Sequence, residues 1–231
     1  MDHFERIYTQ RATDYHRLIA PEDVDGNLLP ALEAVAPLRG KRLLDLGSGT
    51  GRLPLLVGGQ AARVIGLDVH WDMLRENRAQ RDRVGGSWSL VQGDMRALPF
   101  PSEWADVVMA GWAIGHLRGW FADEWQNQIG RVLREICRVA APGGALVIME
   151  TLTTGSFAPA PPTEALAEYY AWLESEWGFA RQTIRTDYQF ESVDDAVSRA
   201  EFFFGSAMAA KIREHGWARL PESTGVWSRR V

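Results

Sequence analysis

Cysteine is almost absent from this chain of 231 residues: Cys137 stands alone. Neither an internal disulfide nor a cysteine-based metal site can be built from one thiol, so no metal is expected, and the composition suits a reducing compartment. A basic excess is missing too. Lys and Arg number 25 against 30 Asp and Glu, for a net charge of −5 and a pI near 5.6. That balance offers little to neutralise a phosphate backbone and argues against a nucleic-acid partner. No apolar run approaches the roughly 20 residues of a membrane helix. Met1 is followed by Asp2, His3 and Glu5 rather than by a basic segment and an apolar stretch, so a soluble, cytoplasmic protein without stable membrane insertion is expected. What the chain does have is 46% hydrophobic and 24% charged residues, the composition of an ordinary globular domain with one good-sized core. No internal repeat or low-complexity tract interrupts it.

From Arg42 onward, short apolar runs alternate with helical periodicity, the pattern of an α/β, doubly wound, mostly parallel sheet. The predicted strands are 42–46, 63–68, 88–92, 105–110 and 145–149. Between the last two, Trp125, Ile129, Val132, Leu133, Ile136 and Val139 repeat near 3.6 residues and predict a helix, stopped by Ala141-Pro142-Gly143-Gly144. Two helices are expected before Arg42, the first with Phe4, Tyr8 and Tyr15, the second with Leu28, Leu29, Leu32 and Val35. After Glu150 a bend at Pro159, Pro161 and Pro162 leads to an aromatic helix over 164–177. A strand over 182–190 follows, and Ser192-Val193-Asp194-Asp195 resembles a capping box before another helix. The chain thus divides into a helical cap (1–40), a ligand-binding core (41–154), a lid or insertion with one strand (155–205), and a closing helix and strand (206–231).

Leu43-Leu44-Asp45-Leu46-Gly47-Ser48-Gly49-Thr50-Gly51 puts a glycine-rich turn between a strand and a helix. Glycines there permit tight backbone angles and close ligand approach, while a helix start favours a negative group. A dinucleotide fingerprint G-x-G-x-x-G would need glycine where Arg52 stands. Two further acids, Asp68 and Asp94, fall at predicted strand ends, where ligand crevices form in parallel sheets. The plain alternative for each acid is a turn or cap residue.

At these residues the sequence resembles the class I methyltransferases that use S-adenosylmethionine (SAM), particularly the broad methyltransferase type 11 group that acts on quinones and other small molecules. The resemblance runs from Leu43 to Met149. It includes Val64-Ile65-Gly66-Leu67-Asp68, Gln92-Gly93-Asp94-Met95, Ala97-Leu98-Pro99-Phe100 with Trp104-Ala105-Asp106-Val107-Val108, and Pro142-Gly143-Gly144-Ala145-Leu146-Val147-Ile148. It implies a seven-stranded Rossmann-like sheet with helical lid segments and one antiparallel strand around 218–227. SAM carries an ammonium, a carboxylate, a ribose diol, an adenine and a sulfonium. Its expected site is Asp45, Gly47, Ser48, Gly49, Gly51, Asp68, Val69, Asp94, Met95 and Gly111, with Asp45 toward the ammonium, Asp68 toward the ribose and Asp94 toward the adenine amino group.

Methyl transfer is an in-line displacement in which the protein mainly aligns the nucleophile and excludes water, so a general base is optional. His116 is the candidate, against the plainer reading of a packed histidine at a helix start. Tyr8, Tyr15, Trp112 and Trp120 are the expected acceptor-binding residues, able to wall a planar or apolar small molecule and to favour a nearby cation, or simply to fill core. After the fourth strand stands Ala110-Gly111-Trp112-Ala113 rather than the N/D-P-P-Y/F run of the adenine, cytosine and glutamine amino methyltransferases, which weighs against those substrates. Two rivals stay open: an NAD-dependent oxidoreductase on a similar sheet, and a SAM-binding regulatory protein without catalysis.

Overall fold

The computed structural model describes residues 3–231; Met1 and Asp2, on which the reading of the amino terminus partly rests, lie outside the described residues. The chain opens with α1 (His3–Gln10) and α2 (Ala12–Ile19), where a single helix is expected. Arg11 breaks it at φ −132° and ψ 33°, outside the helical region, with its guanidinium bonded to Asp14 at 2.9 Å. The break sets the rings of Tyr8 and Tyr15 edge to face, 5.5 Å apart. Next come α3 (Leu28–Val35), β1 (Arg42–Leu46), α4 (Arg52–Val57), β2 (Arg63–Asp68), α5 (Trp71–Arg83), β3 (Ser89–Gln92) and β4 (Ala105–Gly111). Then follow α6 (His116–Trp120), α7 (Trp125–Val139), β5 (Ala140–Thr154), α8 (Glu164–Ser175), β6 (Ala180–Arg185) and β7 (Tyr188–Gln189). The chain ends with α9 (Val193–Phe204), α10 (Ser206–His215), β8 (Arg219–Leu220) and β9 (Glu222–Arg230).

Seven strands form one sheet in the order β3-β2-β1-β4-β5-β9-β6. Parallel pairing links β3 through β5, and β9 runs antiparallel to both β5 and β6. The sheet is therefore mostly parallel, with β9 the one reversed strand among those described. Alternation along β1 sends Leu44 and Leu46 to a core beneath α7 and α8, with Ile129, Val132, Leu133, Ile136 and Val139 of α7 buried there. Leu43 faces the opposite core, against Leu28 and Leu32 of α3 and Leu53 and Val57 of α4. Period-2 strands meeting period-3.6 helices on both faces are what keep both sides of a parallel sheet dry.

The expected strand over 182–190 is divided. Residues 180–185 form β6 on the sheet edge, while Tyr188 and Gln189 leave to pair with β8. Part of the expected lid is thus sheet. The division falls at Thr186 and Asp187, where Asp187 is drawn aside by Arg185, Arg219 and the Glu222 amide. The capping box holds in half: Ser192 Oγ accepts the Asp195 amide at 3.1 Å, and Asp195 reaches back to the amide of Glu191. A third core joins Leu18 and Ile19 of α2 to Ala196 and Ala200 of α9, Ile212 of α10, Tyr188 and Phe190. It stands over the carboxyl ends of the strands. No described helix is long and apolar enough to cross a membrane.

Candidate functional site

The sheet order reverses between β1 and β4, and the crevice at such a switch point is where open α/β sheets bind ligands. A chamber of about 600 Å³ lies there, walled by Gly47, Gly49, Asp68, Val69, Asp94, Met95, Gly111 and residues of the cap. Seven of the ten residues expected to hold a cofactor therefore share one wall. Asp45, Ser48 and Gly51 do not reach it and instead build the turn from behind.

That turn is tight. Gly47, Gly49 and Gly51 have φ of +66°, +50° and +96°, angles at which a side chain is strained. A Cβ on Gly47 would collide with the Cβ of Ala113, in the loop after β4. Behind the turn, Asn77 of α5 donates to Ser48 Oγ and to the Gly49 carbonyl, both at 3.1 Å, and accepts from Trp88 Nε1 at 2.8 Å. This buttress carries no motif, and the sequence reading missed it. Asp68 closes the other side: its two oxygens accept the amides of Gly49 and His70, each at 2.8 Å. Oδ2 keeps a second lone-pair site for a ligand hydroxyl, while Oδ1 also has His70 Nδ1 at 3.5 Å.

Asp94 lies in the wall but is engaged by Arg96, whose Nη2 and Nε donate to it at 2.7 and 3.0 Å. The guanidinium holds this carboxyl below its usual range. Arg96 also bonds Gln128 at 2.8 Å and lies over the ring of Phe121. An adenine amino group arriving here meets a carboxylate already paired, not a bare one. Asp45 is 1% exposed, and one of its oxygens is buried without a hydrogen-bond partner. Burial pushes its carboxyl up to about 7, a rise that the hydroxyl of Ser48 opposes and the charge of Asp68 reinforces.

A second chamber, of about 570 Å³, adjoins the first. Tyr8, Tyr15, Trp112, His116 and Trp120 line both, so the five residues expected to serve the acceptor form the partition. Tyr8 Oη lies 2.9 Å from His116 Nε2, and His116 stacks on Trp120 at 5.2 Å. Trp112 sits at φ +52°, held by its amide N–H, which donates to the Met149 carbonyl at 2.7 Å. The Arg52 guanidinium lies 3.6 Å above its ring. Deeper in, Arg52 pairs with the buried Glu22 at 2.7 Å, and Glu150 accepts the Gly115 amide at 2.8 Å. Burial pushes the Glu150 carboxyl up to about 8 against the pull of Gly115 and Tyr169. Glu22, Arg52, Glu150, Tyr170 and Tyr188 were not among the expected site residues. Only Glu150 left a signal, as an acid ending an apolar strand like Asp68. Among the described residues no cluster of side chains is arranged to hold a metal.

Both raised carboxyls have the same consequence. A folded-state pKa above the unfolded one means the native state binds more protons between the two values, so stability falls as pH rises through that window. The fall runs from the usual carboxylate range to about 7 for Asp45 and about 8 for Glu150. Thermal melts of the ligand-free protein are therefore expected to drop between about pH 5 and pH 8, and Asp45→Asn to flatten the acidic half of that drop. A melting temperature that rose across this range would contradict the burial argument.

Residues 44–148 match a family model described as a methyltransferase domain. The chain is 29% identical over 173 residues to the malonyl-(acyl-carrier protein) O-methyltransferase of Legionella pneumophila, covering 72% of this chain and 55% of that one. It is 36% identical over 118 residues to a ubiquinone/menaquinone biosynthesis C-methyltransferase of Yersinia pestis, covering 48% and 43%. The chain thus spans about half the length of the curated relatives it matches. Among solved structures, a SAM-dependent methyltransferase from Aquifex aeolicus superposes with a TM-score of 0.57 at 16% identity over the whole of both chains. A 4+2 cyclase, SpnF, does so with a TM-score of 0.57 at 21% identity, over 89% of this chain and 81% of its own. The likeness to these structures is one of fold, a fold that serves more than one chemistry.

Proposed function

We propose that this chain, whose residues 44–148 match a methyltransferase-domain model, is a class I SAM-dependent methyltransferase that transfers the methyl group of SAM to a small-molecule acceptor. The observation that carries the reading is the pair of adjoining chambers with one shared aromatic partition. The first chamber fits SAM on its own chemistry. It has a glycine cradle that a Cβ would fill at Gly47, a carboxylate at the mouth in Asp68, and a buried Asp45 oxygen without a partner behind the turn. When bound, SAM supplies an activated methyl on its sulfonium.

The protein's own part is placement and exclusion of water. Asp68 would accept from the ribose hydroxyls, Met95 would flank the adenine, and the turn at Gly47 and Gly49 would admit the amino-acid end, with Asp45 lying behind that turn. Residues 41–154 hold the cofactor, while the flanking segments 1–40 and 155–205 shape the acceptor chamber. His116, on the partition, can take a proton from an acceptor in the second chamber, and Tyr8 fixes its orientation at 2.9 Å. Arg52, where a dinucleotide turn would have glycine, is aimed away from the first chamber into the second, which disfavours the NAD reading. The acidic charge and the lone thiol suit a small-molecule enzyme of the reducing cytoplasm and do not suit a nucleic-acid partner.

Asp68→Ala is expected to weaken binding of S-adenosylhomocysteine (SAH) about ten- to a hundredfold, by loss of charge-assisted bonds of roughly 1.5 to 3 kcal/mol. Calorimetry with SAH and NAD measures it, and an unchanged SAH affinity or a preference for NAD would refute the cofactor assignment. Methyl release from SAM against a panel of acceptors separates an enzyme from a SAM-binding regulator.

A further inference from the structure

The second chamber is more specific than a generic apolar pocket. Its walls are rings, among them Trp112, Trp120, Tyr170, Tyr188 and Phe203, and its ionisable lining includes Glu22 and Glu150 against Arg52 and Arg118. Each guanidinium is paired with a carboxylate, although Arg118 Nε is buried without a hydrogen-bond partner. Arg52 is held edge-on by Glu22 at 2.7 Å and covered on one face by Trp112. Arg118 donates to Glu168 at 2.8 Å and lies over Trp125, and neither of those residues lines the chamber. Glu22 and Arg52 cancel, which leaves Glu150 as the carboxyl whose charge state an incoming group decides. Among the described residues an anionic acceptor would meet here only paired guanidinium groups and the rings of His3 and His116, whereas a cation would meet aromatic faces and an ionisable acid, an arrangement that favours positive charge.

We propose that the acceptor carries an amine, cationic in solution, seated among these rings with its nitrogen facing Glu150. The inference rests on the methyltransferase reading and narrows its substrate class. Around Glu150 stand the Gly115 amide and, on α8, Tyr169 and Tyr170, while His3, His116, Arg118, Glu22 and Arg52 line the same chamber. Burial and the charge of Glu22 hold Glu222, on β9, well above the usual carboxylate range. Burial raises Glu150 to about 8, which favours its protonated form in the free protein near neutral pH. An arriving ammonium therefore expels the Glu150 proton to solvent. The carboxylate then takes one ammonium proton, and the neutral amine attacks: a C–N bond forms as the C–S bond breaks, with the electron pair staying on sulfur.

The test is calorimetry on the full chain loaded with SAH, using tryptamine, tryptophol and indole-3-acetate as probes that share one ring system and differ in the polar group. Tryptamine is expected to bind at least about tenfold more tightly than the other two, and to release about one proton at pH 7 in buffers of differing ionisation heat. Glu150→Gln keeps the acceptor for the Gly115 amide and resembles the neutral side chain of the free protein, so it should fold and bind SAH. In it the amine preference and the proton release should both vanish. Tightest binding of the acid or the alcohol, binding of none of the three, or an amine preference that survives in Glu150→Gln would overturn the inference. Failure to bind SAH at all would instead remove the methyltransferase reading beneath it.

Discussion

Gly47→Val is expected to abolish SAM binding while the sheet stays folded. Two independent costs fall on this position. At φ +66° any side chain is strained by about 1 to 3 kcal/mol, and the added Cβ would collide with Ala113. Ala113 belongs to the loop between β4 and α6, which also carries Trp112, so the turn cannot yield without moving the wall shared by both chambers. We expect the affinity for SAH, measured by calorimetry, to fall by more than roughly a hundredfold. Gly143 provides the control, since it has φ +75° with nothing within 4 Å of its added Cβ. Gly143→Ala should therefore bear the strain alone and bind SAH normally. Normal binding by a folded Gly47→Val protein would take the glycine turn out of the cofactor site.

Much of this site was legible because one local pattern carried it. Asp68 ends β2, at the residue where the apolar run gives way to His70 and Trp71, and an acid at the carboxyl end of a parallel strand sits at the ligand crevice by topology alone. The glycine turn was legible for a similar reason, as strand, turn and helix are consecutive in sequence. Asp45 shows the limit of that reasoning. Period-2 alternation turns its side chain to one face of the sheet, while the ligand crevice lies at the strand's end, so proximity in sequence did not place it on the chamber wall.

The second chamber was not legible because nothing local builds it. Glu22 comes from the connection after α2, Arg52 from the first turn of α4, Glu150 from β5 and Tyr188 from β7. Apart from Glu150, an acid after an apolar run, each reads as an ordinary surface or strand residue until the topology brings them together. Arg96 is a different failure. It stands two residues from Asp94, yet spacing in a loop does not reveal that its guanidinium folds back onto the carboxylate. The break at Arg11 was hidden in the same way: the apolar spacing of Phe4, Tyr8 and Tyr15 is continuous, and what the break accomplishes is tertiary.

That tertiary role leads to the second large effect, expected when α1 is removed. Ile7, Tyr8 and Ala12 pack on Met73 of α5, and Phe4 reaches His116 at 5.5 Å and Phe203 at 5.2 Å. No strand of the seven-stranded sheet is paired with α1. The helix thus covers the chambers without supporting the sheet. Without it, His116 loses the Tyr8 hydroxyl and the partition opens to water, which removes orientation that in-line transfer depends on. α2 is retained in such a truncation because Leu18 and Ile19 are buried in the third core. A chain beginning at residue 11 should accordingly lose roughly a hundredfold or more in methyl transfer. Its melting temperature should shift by only a few degrees, as expected for a modest loss of packing in a domain of this size. In the intact protein, amides of α1 should exchange faster than those of β1 and β4, and gain protection when SAH and an acceptor are bound. Full turnover by the truncated chain, or α1 amides as protected in the free protein as those of the central strands, would show that the cap is neither a wall of the site nor a moving part of it.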